Sequence, residues 1–200
     1  MTKLLNQIHN ICISKNGGFH MTISNKALLI IDVINDFQFE YGDQLLQHTE
    51  NIITPLLQLK KRAKQQHIPI IYINDHYNLW QADFKKIINH CRTNRNTDYI
   101  TAISPDEDDF FLIKPKHSAF YETPLHTLLN HLKINSLVLT GIAGNICVLF
   151  TANDAYMREY QLYCPKDCIA SADVQDNRYA LTMMLNVLKA NISSSSSISF

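Results

Sequence analysis

The stretch Ala27–Val33, reading ALLIIDV, constrains the fold more than any other part of this chain. Its apolar residues occupy consecutive rather than alternating positions, so a strand formed there has to be covered on both faces. Cover on both faces is what crossover helices give a parallel sheet. The rest of the chain repeats the theme: short apolar runs recur at Ile68–Ile73, Phe110–Ile113, Ser136–Thr140 and Gln161–Cys164. Between them lie segments of helical period. Asn51–Gln66 carries Ile52, Ile53, Leu56, Leu57, Leu59 and Ala63 as one stripe. Thr123 and Pro124 offer an N-cap and a first-turn proline to a helix reaching Lys133. Ala82–Cys91, Ile146–Tyr160 and Val174–Ala190 read as further helices. Strands alternating with helices imply right-handed crossovers, and the expected fold is a three-layer α/β/α sandwich around a mostly parallel, Rossmann-like sheet of about five or six strands.

Composition agrees with one such domain and narrows what it does. With 200 residues and 46% hydrophobic content, the chain is large enough for a well-buried core. Eighteen basic residues balance eighteen acidic ones, which gives no field favouring nucleic acid or an anionic membrane. No apolar run approaches the roughly 20 residues a bilayer span needs. The five cysteines, Cys12, Cys91, Cys147, Cys164 and Cys168, are odd in number and irregular in spacing, which speaks against a disulfide framework and for a reducing cytoplasm. Residues 1–24 lack a strong period and read as a peripheral extension, with Met21 placed just before the first strand. Residues 25–191 read as the domain, and the serine-rich segment 192–200 as a flexible tail.

Open parallel sheets carry their sites at the carboxyl ends of the strands. Three reactive side chains stand there: Asp32 closes the first run, Lys114 closes the third, and Cys147 lies just past the fourth. Each has a bland reading, as a turn former, a rim charge and an inert buried thiol respectively. Taken together they supply what thiol chemistry needs, an acceptor for the proton, a cation to balance charge, and a nucleophile at the start of a helix whose dipole favours thiolate.

These residues fall in three ordered motifs: Leu29–Phe37 (LIIDVINDF), Lys114–Phe120 (KPKHSAF) followed by Thr123-Pro124-Leu125, and Thr140–Val148 (TGIAGNICV). In these motifs the chain resembles the isochorismatase-like cysteine hydrolases, a family that includes nicotinamidases and N-carbamoyl amidohydrolases; the resemblance covers roughly residues 25 to 190. It implies Asp32 as general base, Lys114 as catalytic lysine and Cys147 as nucleophile. It also implies a non-proline cis peptide at Ile142–Ala143, aiming the Ala143 N–H with that of Cys147 at an oxyanion. The implied reaction is hydrolysis of a C–N bond, amide or carbamoyl, in a small molecule through a thioester, without a cofactor and in a homo-oligomeric protein. Nicotinamidases of the family hold a metal through Asp and several His residues after the second strand. Here Asp75 and His76 are the candidates there, but further histidines at useful spacing are missing, so no metal is expected.

The same region suggests aromatic pocket walls. Trp80, the single tryptophan, together with Phe37 and Phe120, is a candidate wall, and Asn145 a candidate substrate contact. His117 and Ser118 read as lining or turn residues, since no Gly-x-Ser-x-Gly elbow supports a hydroxyl nucleophile. Asp106–Asp109 reads as a solvated acidic loop. No P-loop or GxGxxG motif implies a nucleotide. Two other classes stand beside the amidohydrolase: a catalytically silent relative serving as a binding or assembly module, and a thiol-redox protein in which Cys164 or Cys168 resolves an oxidised Cys147.

Overall fold

The computed structural model describes residues 25–200 and shows a six-stranded sheet of parallel pairs. The strands are β1 (Lys26–Ile31), β2 (Ile70–Asp75), β3 (Phe110–Lys114), β4 (Ser136–Ile142), β5 (Gln161–Tyr163) and β6 (Ile169–Ala170). Their order is β3-β2-β1-β4-β5, with β6 pairing the distal end of β4. The helices are α1 (Gly42–Gln65), α2 (Phe84–Cys91), α3 (Thr97–Ile103), α4 (Leu125–His131), α5 (Leu149–Met157) and α6 (Val174–Asn186).

The consecutive apolar residues of β1 divide between two cores. Leu28 and Ile30 face one layer, with Leu45, Leu56 and Leu59 of α1, Ile87 of α2 and Ile100 of α3. Ala27, Leu29 and Ile31 face the other, with Leu129 of α4, Ala152 of α5 and Met184 of α6. Each of these β1 side chains is fully buried, which is why the run cannot alternate with polar residues. The reading of a three-layer α/β/α sandwich holds. Among the described residues no helix is long and apolar enough to cross a membrane.

Several local features differ from the sequence reading. β1 ends at Ile31, so Asp32 stands beyond the strand with φ 52°, and the chain turns there. α1 begins at Gly42, well before Asn51; an added Cβ at Gly42 would stand 2.0 Å from the Phe37 carbonyl oxygen, so only glycine fits this close approach. α3 was not anticipated. Asp106–Asp109 is no merely solvated loop, because Asp106 and Asp109 pair with Lys60 of α1 at 3.2 and 2.9 Å. Residues 1–24, read as a peripheral extension, lie outside the described residues.

The segment 192–200, expected to be a flexible tail, is docked. Arg62 of α1 donates to the carbonyl oxygens of Ser195 and Ile198, Asp167 accepts from the Ser195 N–H at 2.7 Å, and Ile198 is buried. The serines supply no apolar surface, so hydrogen bonds from Arg62 and Asp167 hold the segment together with Ile198, Ile192 and Phe200, which pack against the cores. Arg62→Ala is expected to cost about 2 kcal/mol, the scale of hydrogen bonds to a charged donor. Urea unfolding checks the loss, and faster carboxypeptidase release from residue 200 checks the undocking; an unchanged digestion rate contradicts this role.

Candidate active site

The parallel register brings the carboxyl ends of β1, β2, β3 and β4 into one row. Ile31 pairs both Ile73 of β2 and Gly141 of β4, and Asp75 at the end of β2 pairs Lys114 at the end of β3. β4 can lie this close to β1 because residue 141 is glycine, with φ 112° and the Ile31 carbonyl oxygen 2.1 Å from where a Cβ would stand. Past β4 the chain enters a wide helical turn, Gly144–Val148, that leads into α5 and carries Cys147.

Asp32, Lys114 and Cys147 meet across this row. The Lys114 ammonium lies 2.7 Å from Asp32 Oδ2 and donates to Cys147 Sγ at 3.5 Å and to the Lys116 carbonyl oxygen at 3.2 Å. The other Asp32 oxygen accepts from the Asp75 backbone N–H at 2.9 Å, and Lys114 links the carboxylate to the Cys147 sulfur. Lys114 is only 2% exposed and Asp32 6%, whereas Cys147 is half-buried. A buried ammonium at the end of an apolar strand is sustained by this ion pair and the Lys116 carbonyl.

Burial sets the electrostatics. It pushes the Asp32 carboxyl above the usual carboxylate range, an effect partly offset by the Lys114 charge and by hydrogen bonds from Cys147 and Lys114. Burial alone would lower Lys114, but the adjacent Asp32 carboxylate and the Cys147 sulfur more than offset it and hold the ammonium above its ordinary value. The Cys147 thiol is pushed up strongly, by burial first and the Asp32 charge second, with Lys114 opposing. Burial and the Asp32 charge thus oppose the thiolate that a helix start favours, and the thiol lies beside a carboxylate that can take its proton.

A cavity of about 530 Å³ opens over the trio. Asn35, Asp36 and Phe39 from the turn after β1 line it, with Asp75 and Tyr77 after β2, Lys116 and His117 after β3, and Ile142, Ala143 and Ile146 around Cys147. The four expected contacts are not among its lining residues. Phe37, with φ 55°, turns into the core against Tyr99, at a ring-centroid distance of 5.8 Å. Trp80 is 66% exposed and stacks on His76 at 3.9 Å. Phe120 is buried in the opposite layer beside Tyr160. The Asn145 side chain reaches toward Asp176, and its backbone N–H donates to Ser171 Oγ at 3.0 Å. The residues the sequence reading missed, Asn35, Asp36, Phe39 and Lys116, follow within a few positions of Asp32 or Lys114; strand-end proximity was the signal that could have found them. His117 lines the cavity, whereas Ser118 is buried and bonded to Asp154.

The Ile142–Ala143 peptide is cis, as the resemblance implied. The backbone N–H groups of Ala143 and Cys147 donate to no loop or turn carbonyl among the described residues, while the Ile146 and Val148 N–H groups beside them both donate to the Ala143 carbonyl.

Asp75 and His76 each use one acceptor atom in a local turn. Asp75 Oδ1 accepts from the Tyr77 N–H at 2.8 Å, and His76 Nδ1 accepts from the Asn78 N–H at 2.9 Å. Among the described residues the grouping of acidic, His or Cys side chains near enough to share an ion is Asp106, Asp108 and Asp109, which already bind Lys64. Cys164 and Cys168 sit in opposite layers of the fold, each fully buried, and the four cysteines among the described residues are free thiols.

A family model described as Isochorismatase domain matches residues 26–196. The isochorismatase family protein YaaI of Bacillus subtilis (strain 168) is 59% identical over 178 residues, which span 89% of this chain and 98% of that protein. The ureidoacrylate amidohydrolase RutB of Methylorubrum extorquens is 48% identical over 61 residues, 30% of this chain and 25% of that protein. Among solved structures, the nicotinamidase SaPncA from Staphylococcus aureus is similar with a TM-score of 0.66 at 25% identity, over 86% of this chain and 99% of that chain.

Proposed function

The chain belongs to the isochorismatase family, and on that premise we propose that it is a cysteine hydrolase cleaving a C–N bond, amide or carbamoyl, of a small molecule through a thioester. One observation carries the reading: the buried Lys114 ammonium bridges the Asp32 carboxylate at 2.7 Å and the Cys147 sulfur at 3.5 Å at the floor of a cavity. The named activities of two similar proteins, a nicotinamidase and a ureidoacrylate amidohydrolase, support the bond type.

Asp32 takes the Cys147 proton as the sulfur attacks the substrate carbonyl carbon. The carbonyl oxygen becomes an oxyanion, and the N–H groups of Ala143 and Cys147 stabilise it. Lys114 keeps the site near neutrality while the proton sits on Asp32. Collapse of the tetrahedral adduct breaks the C–N bond; Asp32 returns the proton to the leaving nitrogen, and an S-acyl Cys147 remains. Water, deprotonated by the same carboxylate, attacks the thioester, releases the acid and regenerates the thiol. This chain's residues supply every proton transfer. A binding-only role has no use for a thiol held between a buried base and a buried cation. A cytoplasmic setting and self-association belong to this reading, which includes neither nucleic acid nor a membrane as partner; sedimentation velocity tests the self-association.

The reading is tested by measuring ammonia release from a panel of small primary amides and ureides. Release from at least one, lost on iodoacetamide treatment, is expected; no release across both classes contradicts it. The pH dependence follows from Asp32. Its carboxylate has to be ionised to accept the proton, and burial raises its pKa, so kcat/KM is expected to fall with decreasing pH along a limb centred above the usual carboxylate range. A limb at an ordinary carboxylate value contradicts Asp32 as the base.

A further inference from the structure

The turn that carries Asp32 is held by side chains from elsewhere in the fold. Asn74, the penultimate residue of β2, is fully buried and bonds both backbone groups of one residue: the Ile34 N–H donates to Asn74 Oδ1 at 3.2 Å, and Asn74 Nδ2 donates to the Ile34 carbonyl at 2.8 Å. These partners fix which way the amide points. The Tyr77 hydroxyl donates to the same carbonyl at 3.1 Å. Asn96 Nδ2 donates to the Asn35 carbonyl at 3.0 Å, and the Tyr99 hydroxyl to that of Val33. Asp32 itself hangs from β2 at two points, its N–H on the Ile73 carbonyl and its Oδ1 on the Asp75 N–H, each at 2.9 Å.

Asn74 thus lies between the two residues that grip Asp32 and itself grips the turn two residues further on. With φ 52°, Asp32 is in a backbone region that a non-glycine residue keeps only where its surroundings impose it. A peptide group bonded at both N–H and C=O by one buried amide is such an imposition, and it acts on the turn past Asp32, beyond the reach of the two bonds from β2. We infer that Asn74, through its paired hydrogen bonds to Ile34, positions the Asp32 carboxylate against the Cys147 thiol.

Asn74 touches neither the thiol nor the cavity; it acts through Asp32, and the inference rests on the reading of Asp32 as the base. The consequence is legible at Cys147. The Asp32 charge disfavours the thiolate and Lys114 favours it, so a displaced Asp32 leaves the sulfur facing the cation alone. Thiolate then forms at lower pH, although the base needed for turnover has been misplaced.

The test is the rate of Cys147 alkylation by iodoacetamide as a function of pH, read by peptide mass mapping, for the full chain and three variants. Asp32→Asn is expected to move the profile toward lower pH by about one unit, the scale of a neighbouring charge. Asn74→Ala is expected to move it the same way by a smaller amount. Thr140→Val removes a different buried hydrogen bond of the same sheet, from Thr140 Oγ1 to the Leu29 carbonyl at 2.8 Å, and is expected to leave the profile in place. If Asp32→Asn shifts the profile and Asn74→Ala does not, Asn74 is merely structural and the inference is overturned. If Asp32→Asn leaves it unmoved, the reading of Asp32 as a base coupled to the thiol fails first, and the inference with it. Should Asn74→Ala not fold, Asn74→Ser, whose hydroxyl is too short for both bonds but leaves a polar group at the site, is expected to give a shift in the same direction, and no shift overturns the inference.

Discussion

Cys147→Ser is expected to abolish amide and ureide turnover, a loss of roughly 10⁴-fold or more, with the fold unchanged. The substitution exchanges one chalcogen for another at a half-buried position, so neither packing nor charge is disturbed. What it removes is acidity and nucleophilicity. The thiol is already held above its ordinary pKa by burial and by Asp32, and burial also raises the Asp32 carboxyl, which makes it a better proton acceptor. A serine hydroxyl is a far weaker acid, and the site offers no imidazole to bridge the gap: His117, the histidine in the cavity, is exposed at its rim. Steady-state ammonia release and circular dichroism on the same preparation separate chemistry from folding. Unaltered turnover in the variant would falsify the nucleophile assignment.

Lys114→Met is expected to be the most destabilising single change at the site, costing about 3–5 kcal/mol near neutral pH, because it leaves the buried Asp32 carboxylate without its cation, held only by the Asp75 N–H. Methionine approximates the lysine stem in volume, so the loss is electrostatic rather than a cavity effect. Its pH dependence has a definite sign. Without Lys114 the folded-state pKa of Asp32 rises further above its unfolded value, so folding then favours the protonated carboxyl. The penalty is therefore largest above the raised folded pKa and fades as pH falls toward the unfolded value. Urea unfolding at neutral and acidic pH checks this, and Asp32→Asn in the Lys114→Met background is expected to recover much of the loss. A penalty independent of pH and of Asp32 contradicts the ion-pair account.

The residues that became the site were legible because strand ends are legible. Asp32, Lys114 and Cys147 each follow an apolar run, and a parallel sheet with carboxyl ends in register has to bring them together. The walls were not legible, for a reason visible at Phe37 and Trp80. Both adopt positive φ, at 55° and 52°, which sequence signals only for glycine and asparagine, and that backbone choice decides whether a ring faces the cavity, the core or solvent. α3 escaped notice because Thr97–Ile103 is short and rich in β-branched residues, so local propensity argues against the helix that Tyr99 and Ile100 stabilise by burial. The docked segment 192–200 depends on Arg62, which lies far away in sequence and leaves no local mark on a run of serines. The desolvation of the thiol was not legible either, because a helix start can be read from order along the chain, whereas burial is a property of the packed site.

The central claim is that an acyl group passes through Cys147, and the most direct measurement is mass spectrometry of the acid-quenched protein during turnover of an amide or ureide it hydrolyses. The account predicts an adduct of the substrate's acyl mass on the peptide containing Cys147, removed by hydroxylamine and absent in Cys147→Ser. Turnover with no adduct at Cys147, or an adduct carried by another residue, contradicts it.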